Sequence, residues 1–377
     1  MENQNKTSFQ INIKLMQIFR WYPENHSSRS FWLQGFVLYI FFLVLTVSII
    51  LTNILLERSY DNMQIIYVTE TLGFCFKLLP FLRNGEHVRK CVNFFSGSDF
   101  APKDTAEKEI AETSIKLCKI MSVVYLVGCT CAEVLYVVPS LVSKNYNLPM
   151  RVWLPYDPTK GPLTYYSTIF YLATACVYDA SATSLIDPLI GGLAYQVVSQ
   201  LKILKYRLQN ACLGKDIEEV DNNLKNKSVI YRNLVQCVQH HNAILRFVEE
   251  YEECFSWPIF SQFMATTFVI CFCCIALSTV PIADTTIYIL FFCVAISQLL
   301  FYCYFGTLLY EENNTLMTAI YMSQWYEYDI ESRKLLITIM EQAKRPMVVT
   351  AAKLVDLTLE TFVTILKRSY SLIAVLK

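Results

Sequence analysis

Long apolar runs dominate the chain. Leu33–Leu56 passes 24 residues, Cys254–Ala283 30 residues and Thr285–Tyr310 26 residues without one Asp, Glu, Lys or Arg. A helix needs roughly 20 mainly apolar residues to cross the hydrocarbon core of a bilayer, so each run predicts a membrane span. Ile120–Ser143 is interrupted only by Glu133, and Met63–Leu82 only by Glu70 and Lys77. Leu163–Leu201 runs 39 residues with Asp179 and Asp187 inside it. At about 1.5 Å per residue that is roughly twice the thickness of the core, so its far end is expected to project into water. A weaker seventh span is expected in Leu357–Leu376. The fold class is therefore all-α: a polytopic membrane protein with seven transmembrane helices.

Charge decides the orientation. With an interior N-terminus, the stretches 1–32, 83–115, 202–256 and 311–349 face the cytoplasm and hold 21 of the 32 Lys and Arg residues, while the exterior stretches hold 5. Positive residues favour the cytoplasmic side, which predicts a cytoplasmic N-terminus and an extracellular C-terminus. The chain divides accordingly. Residues 1–32 form a polar cytoplasmic segment with no signal peptide, 33–201 hold spans one to four with an exterior loop at 144–162, and 202–256 form a cytoplasmic helical extension. Residues 257–310 hold spans five and six, 311–349 a cytoplasmic anchor helix and 350–377 the seventh helix. The 144–162 loop carries Pro149, Pro155, Pro158 and Gly161 and reads as a lid. Four glycosylation sequons, at Asn5, Asn25, Asn226 and Asn313, all fall on the interior side and are expected to stay bare.

Composition narrows the chemistry. Apolar residues make up 54% of the 377, charged residues 17%, and the formal net charge is zero, which leaves no basic footprint for nucleic acid. His240 and His241 are adjacent and so diverge by ~100° on a helix, which does not make a zinc pair. There is no phosphate-binding loop and no nucleophile elbow. No enzyme, metal or cofactor is expected. Ionisable groups at membrane depth are functional candidates: Lys77, Asp179 and Asp187 read as pairing inside the bundle, and Glu133 as either facing a ligand cavity or reaching for the headgroups. In the seventh span Glu360, Thr364, Lys367 and Ser371 recur as one helical stripe, followed by an aliphatic end. That pattern describes a wetted conduit closed by a hydrophobic constriction, built from several subunits, or else an amphipathic helix lying against the bundle.

The C-terminal third closely resembles the insect odorant receptor family. The residues concerned are Ala319-Ile320-Tyr321, Trp325-Tyr326, Arg333-Lys334-Leu335-Leu336, Ile339-Met340, Arg345-Pro346, Leu359-Glu360-Thr361-Phe362 and Ser369-Tyr370-Ser371-Leu372. Looser signals are Trp153-Leu154-Pro155-Tyr156-Asp157-Pro158 and Phe305-Gly306. The resemblance implies an odorant-gated, non-selective cation channel of four subunits in the plasma membrane of sensory-neuron dendrites. Odour-specific members of the family assemble with a shared co-receptor, whose long insertion between spans four and five is missing here, so the chain looks like a tuning subunit. The gate is implied at Ile373, with Leu372 and Leu376 beside it, and Glu360, Thr364, Lys367 and Ser369 lie along the conduit. Alternatives are a metabotropic seven-span chemoreceptor or a gustatory-type receptor channel.

In that family small volatile odorants bind in the outer half of the membrane among spans two, three, four and six. Depth and helical face then select Tyr67, Thr71 and Phe74 from span two, and Gly128, Ala132, Leu135 and Tyr136 from span three. Span four supplies Phe170, Thr174 and Val177, and span six Tyr288, Phe291 and Phe292. Aromatic walls suit small apolar molecules.

Overall fold

A computed structural model describes residues 8–22, 29–58, 61–83, 85–142, 147–210, 223–281, 285–323 and 325–376, with backbone alone for 223–226, 327, 370 and 372–376. The apolar runs are helical. α1 spans Gln10–Ile18 and α2 Arg29–Glu57, the latter with a π-helical stretch at Ile40–Val44. There follow α3 (Asn62–Arg83), α4 (Gly85–Asn93), α5 (Thr105–Val142), α6 (Pro162–Gln209), α7 (Asn223–Thr279), α8 (Thr285–Tyr321), α9 (Ile330–Ala343) and α10 (Leu359–Leu376). Six of these, α2, α3, α5, α6, α7 and α8, are long and apolar enough to cross a membrane, and α10 is the seventh. Their outer faces are apolar: Phe36 and Val37 on α2, Val124 and Val127 on α5, and Met264 and Phe268 on α7 are all exposed. An exposed apolar belt of this size is what contact with lipid requires.

α6 is the central post. It starts where Pro162, which needs no hydrogen-bonded N–H, follows the extended Gly161. Of its 48 residues 30 are buried, and from Ala182 to Leu201 only Tyr195 is even partly exposed. Neighbours approach it closely at two glycines: a Cβ on Gly191 would meet Phe301 at 2.2 Å, and one on Gly192 would meet Phe9 at 2.5 Å.

The Arg207 end of α6 meets the start of α5 and parts of α7, α8 and α9 in a stalk. Arg207 on α6 binds both oxygens of Glu107 (2.9 and 2.8 Å), donates to Ala101 O at 2.9 Å, and donates to His240 Nδ1 at 3.2 Å. An arginine only donates, so His240 carries its proton on Nε2 and gives it to Gln200 Oε1 at 3.0 Å. Burial, with Arg207 and Lys103 nearby, pushes His240 down to about 3. His241 turns the other way, to Gln342 of α9 at 3.2 Å. The adjacent histidines thus join different helices. Asn313 is buried and donates to Ala343 O and Arg345 O (3.4 and 3.2 Å), fixing the end of α9. That amide is spent inside the protein rather than offered to a sugar.

His87 on α4 meets Glu250 on α7 at 2.5 Å, and this hydrogen bond holds the imidazole above its ordinary value. A raised folded value contributes stability below the unfolded pKa of about 6.5 and loses it as pH rises through the folded one. In thermal unfolding of the full chain in detergent, the gap between wild type and His87→Gln is therefore expected to be widest below about pH 6.5 and to close as pH rises through the raised folded value. A gap independent of pH would contradict the assignment.

Two stretches differ from the sequence reading. Residues 8–22 are not a polar leader. Phe9, Met16 and Trp21 are fully buried, Asn12 Nδ2 donates to Leu185 O at 3.0 Å, and Trp21 Nε1 donates to Tyr178 OH at 2.7 Å. α1 therefore lies along α6 at membrane depth. The last segment is not helical from residue 350: Thr350–Ala351 and Val355–Asp356 pair as antiparallel strands β1 and β2. Ala352 and Lys353 turn between them at φ 52° and 58°, a region that sterically favours glycine. The hairpin is held on α7, where Glu252 accepts from Thr350 N and Oγ1 (2.9 Å each) and Ser256 exchanges bonds with Thr350 O and Ala352 N (2.8 and 3.1 Å).

Candidate functional site

A cavity with about 70 Å³ of room for small molecules lies inside the bundle. α3 supplies Ile66, Tyr67 and Glu70, and α5 supplies Cys129, Ala132, Glu133 and Tyr136. α6 adds Cys176, Asp179, Ala180 and Thr183, Val269 closes one side from α7, and Phe291, Val294 and Ala295 close another from α8. On each helix these positions recur three or four residues apart, so one stripe per helix faces inward. The 147–161 loop roofs this end of the bundle. Tyr136 OH donates to Pro149 O at 3.1 Å, Gln64 Nε2 to Arg151 O at 2.7 Å, and Trp153 N to Ile49 O at 3.2 Å. One cavity residue, Tyr136, is thereby tied directly to the roof. Cys129, Glu133 and Ala180 also line a groove of about 490 Å³ on the far side of the wall between α5 and α6, so a single layer of side chains separates cavity from lipid.

A polar chain leaves the cavity floor. Glu70 Oε1 accepts from Gln262 Nε2 at 3.2 Å, Gln262 also donates to Thr266 Oγ1 at 3.1 Å, and Thr266 donates to Gln298 Oε1 at 3.2 Å. Gln298 Nε2 reaches Asp187 Oδ2 at 2.5 Å. Asp187 Oδ1 accepts from Lys77 Nζ at 2.5 Å and from Tyr302 OH at 2.6 Å. Both charged side chains are fully buried. The sequence expectation that these ions pair inside the bundle holds for Lys77 and Asp187; Asp179 instead accepts from Thr71 Oγ1 at 2.8 Å.

Of the residues selected from the sequence, Tyr67, Ala132, Tyr136 and Phe291 line the cavity. Thr71 stands behind Asp179 as its donor, and Phe74 packs edge-on against Trp21. Tyr288 is buried and Phe292 packs on the core, but neither lines the cavity. Gly128, Leu135, Phe170 and Val177 are exposed on the outer surface, and Thr174 bonds its own helix at Phe170 O. On α5 the inward stripe is 129, 132, 133 and 136, so Gly128 and Leu135 each lie one residue, ~100°, off it. On α6 the stripe begins at Cys176, nearly two turns beyond Phe170. Glu70 and Asp179 were absent from the selected set, although charge at membrane depth marks both; Glu133, read from the sequence as either facing a ligand cavity or reaching for the headgroups, lines the cavity.

At the other end of the chain, α10 packs on α7 and α8 through Phe362, Ile365 and Leu366. Gly306 on α8 makes this possible: a Cβ there would meet Leu357 O at 2.1 Å. Thr307 Oγ1 then accepts from Leu359 N at 2.9 Å at the helix start. Glu360, Lys367 and Ser371 are exposed and Thr364 is half-buried, so the polar stripe faces away from the bundle. Ser369 is buried. The side chains of Leu372, Ile373 and Leu376 lie outside the described residues. For metals, His87, Glu250 and Glu253 bring three ligand-type atoms within 4.8 Å of one another at the stalk, two of which already share a hydrogen bond.

The chain was compared with known proteins. Residues 59–370 match a family model described as 7tm odorant receptor. Odorant receptor 23a of Drosophila melanogaster is 24% identical over 70% of this chain and 67% of its own length. Odorant receptor Or1 of Anopheles gambiae is 21% identical over 95% and 91% respectively. Among solved structures, the insect olfactory receptor OR5 from Machilis hrabei superposes with a TM-score of 0.83 at 16% identity, covering 97% of both chains. Its complex with eugenol gives 0.82 at 17% identity over 98% of both.

Proposed function

The chain belongs to the 7tm odorant receptor family of insects, among odorant receptors rather than the shared co-receptor, and from that premise we propose that it is the odour-binding, pore-contributing subunit of an odorant-gated, non-selective cation channel. It sits in the plasma membrane of sensory dendrites with its N-terminus inside, and it assembles with the co-receptor into a tetramer. The observation that carries this reading is the outward polar face of α10, which finds no partner surface on its own bundle. One helix cannot enclose a conduit, so the stripe implies neighbours that each contribute another. Along that conduit lie Glu360, Thr364 and Lys367, whereas Ser369, expected there from the sequence, is buried on the opposite face of the helix; the constriction lies at Leu372, Ile373 and Leu376.

The ligand site is the cavity beneath the 147–161 roof. The complex of OR5 with eugenol supports this by fold alone: a related architecture holds a small aromatic molecule. A ligand that binds the conducting arrangement more tightly shifts the population toward it. Two routes carry that preference to α10. One is the polar chain from Glu70 to α8; the other is α8 itself, which meets the cavity at Phe291 and seats α10 at Gly306.

Ile373→Gly, co-expressed with the co-receptor, is expected to raise resting current severalfold by removing the aliphatic seal. Resting conductance and ion selectivity identical to wild type, in protein shown to reach the surface, would refute the gate.

A further inference from the structure

We propose that the ligand of the cavity is a small aliphatic amine, bound through nitrogen by Glu133 and Glu70. This rests on the cavity being the odorant site proposed above, and it adds a chemical class to that reading.

The inference starts from charge inside an otherwise apolar space. Three carboxyl groups, Glu70, Glu133 and Asp179, line one cavity of about 70 Å³. The cation closest to them along the polar chain, Lys77, is already held by Asp187 at 2.5 Å with both side chains fully buried, so it is not free to balance them. Asp179 has Thr71 as a donor and Glu70 Oε1 has Gln262. Glu70 Oε2 and Glu133 Oε2 are buried and have no hydrogen-bond partner. An orphaned polar atom in a low-dielectric interior costs about 1–3 kcal/mol; the Tyr67 hydroxyl on the same wall is also unpartnered but offers a single donor, so two carboxyl oxygens around one cavity describe a receptor site short of donors.

The occupant that fits offers several N–H donors from one atom and can carry positive charge. An amine does both. An alcohol offers one donor, an ester, ketone or hydrocarbon offers none, and none of these takes a proton from a carboxyl group as an amine does. The rest of the wall fits the remainder of such a molecule. Tyr67, Tyr136 and Phe291 present rings, which favour a cation over their faces, while Ile66, Val294 and Ala295 hold a short hydrocarbon group. The cavity limits that group to a few carbons.

Entry is also accounted for. A neutral amine dissolves in lipid, and Glu133 stands in the single layer shared by the cavity and the outer groove. If the glutamate carries its proton, that proton passes to the nitrogen. One O–H bond breaks, one N–H bond forms, and an ammonium–carboxylate pair results with no change in net charge.

The test is a matched series sharing one skeleton: 3-methylbutylamine, 3-methylbutan-1-ol and 3-methylbutyl acetate, applied to cells expressing the full chain with the co-receptor. The amine is expected to activate at a concentration at least tenfold below the alcohol and the acetate. Glu133→Gln is expected to raise the amine's half-maximal concentration at least tenfold more than it raises the alcohol's. Activation by the acetate or alcohol as strong as by the amine would overturn the amine inference and leave the odorant reading standing. So would unchanged amine sensitivity in a Glu133→Gln channel that reaches the surface. The ranking on the wild-type channel decides the matter even where a variant fails to fold. Silence to all three compounds and to a broad odour panel, with normal surface labelling, would bring down both readings.

Discussion

Asp187→Ala is expected to remove nearly all folded protein from the membrane. The substitution leaves the Lys77 ammonium fully buried with no counter-ion, and it strips Gln298 and Tyr302 of the oxygens they donate to. Breaking one side of a buried ion pair costs about 3–5 kcal/mol, a large share of the roughly 5–15 kcal/mol that holds a typical domain folded. The converse argument supplies the control. Lys77→Met combined with Asp187→Asn removes both charges and keeps an acceptor oxygen for Gln298 or Tyr302, so it should recover most of the lost protein. Surface labelling of the full chain, with thermal unfolding in detergent, reads both effects. If Asp187→Ala reaches the surface at wild-type levels, the pair does not hold the helices together.

Gly306→Ala is expected to abolish odour-evoked current while leaving the cavity intact. The added methyl would stand 2.1 Å from the Leu357 carbonyl oxygen and 2.8 Å from the Leu357 Cβ. The first contact is with backbone, which cannot rotate away, so the segment leading into α10 has to move. Overpacking of this kind costs about 1–3 kcal/mol, enough to displace a helix of about 27 Å whose start is set by one bond from Leu359 N to Thr307. Because Gly306 lies about 22 Å along α8 from Phe291, binding of a photo-crosslinkable odorant should persist. Wild-type current from Gly306→Ala channels would show that α10 is seated elsewhere.

The spans were legible because a bilayer demands length and low charge, and both are visible without knowing any contact. Which way each helix faces was harder to read. In its outer half α6 exposes Leu163, Tyr166, Phe170 and Val177, a stripe as apolar as its inward face, so its sequence has no amphipathic contrast to fix a rotation. On α5 a displacement of one residue separates Gly128 and Leu135 from the inward stripe. The intramembrane carboxyls were the better guide, since a group that lipid penalises must turn inward. Glu70, Glu133 and Asp179 meet at one cavity for that reason. The hairpin at 350–356 had no sequence signal, because Ala352 and Lys353 occupy a turn where glycine or asparagine is the usual marker.

The grip of α6 on α1 has a consequence for synthesis. Asn12 waits for Leu185, 173 positions later in the chain. At ribosomal speeds of about 5–20 residues per second, that delay is roughly 10–35 s. Throughout it Trp21 lacks Tyr178, its hydrogen-bond partner on α6, while α2, α3 and α5 are already being threaded into the bilayer. The first helix to be made is thus among the last to dock, and a biogenesis factor that shelters aromatic surface would meet this protein first at its N-terminal end.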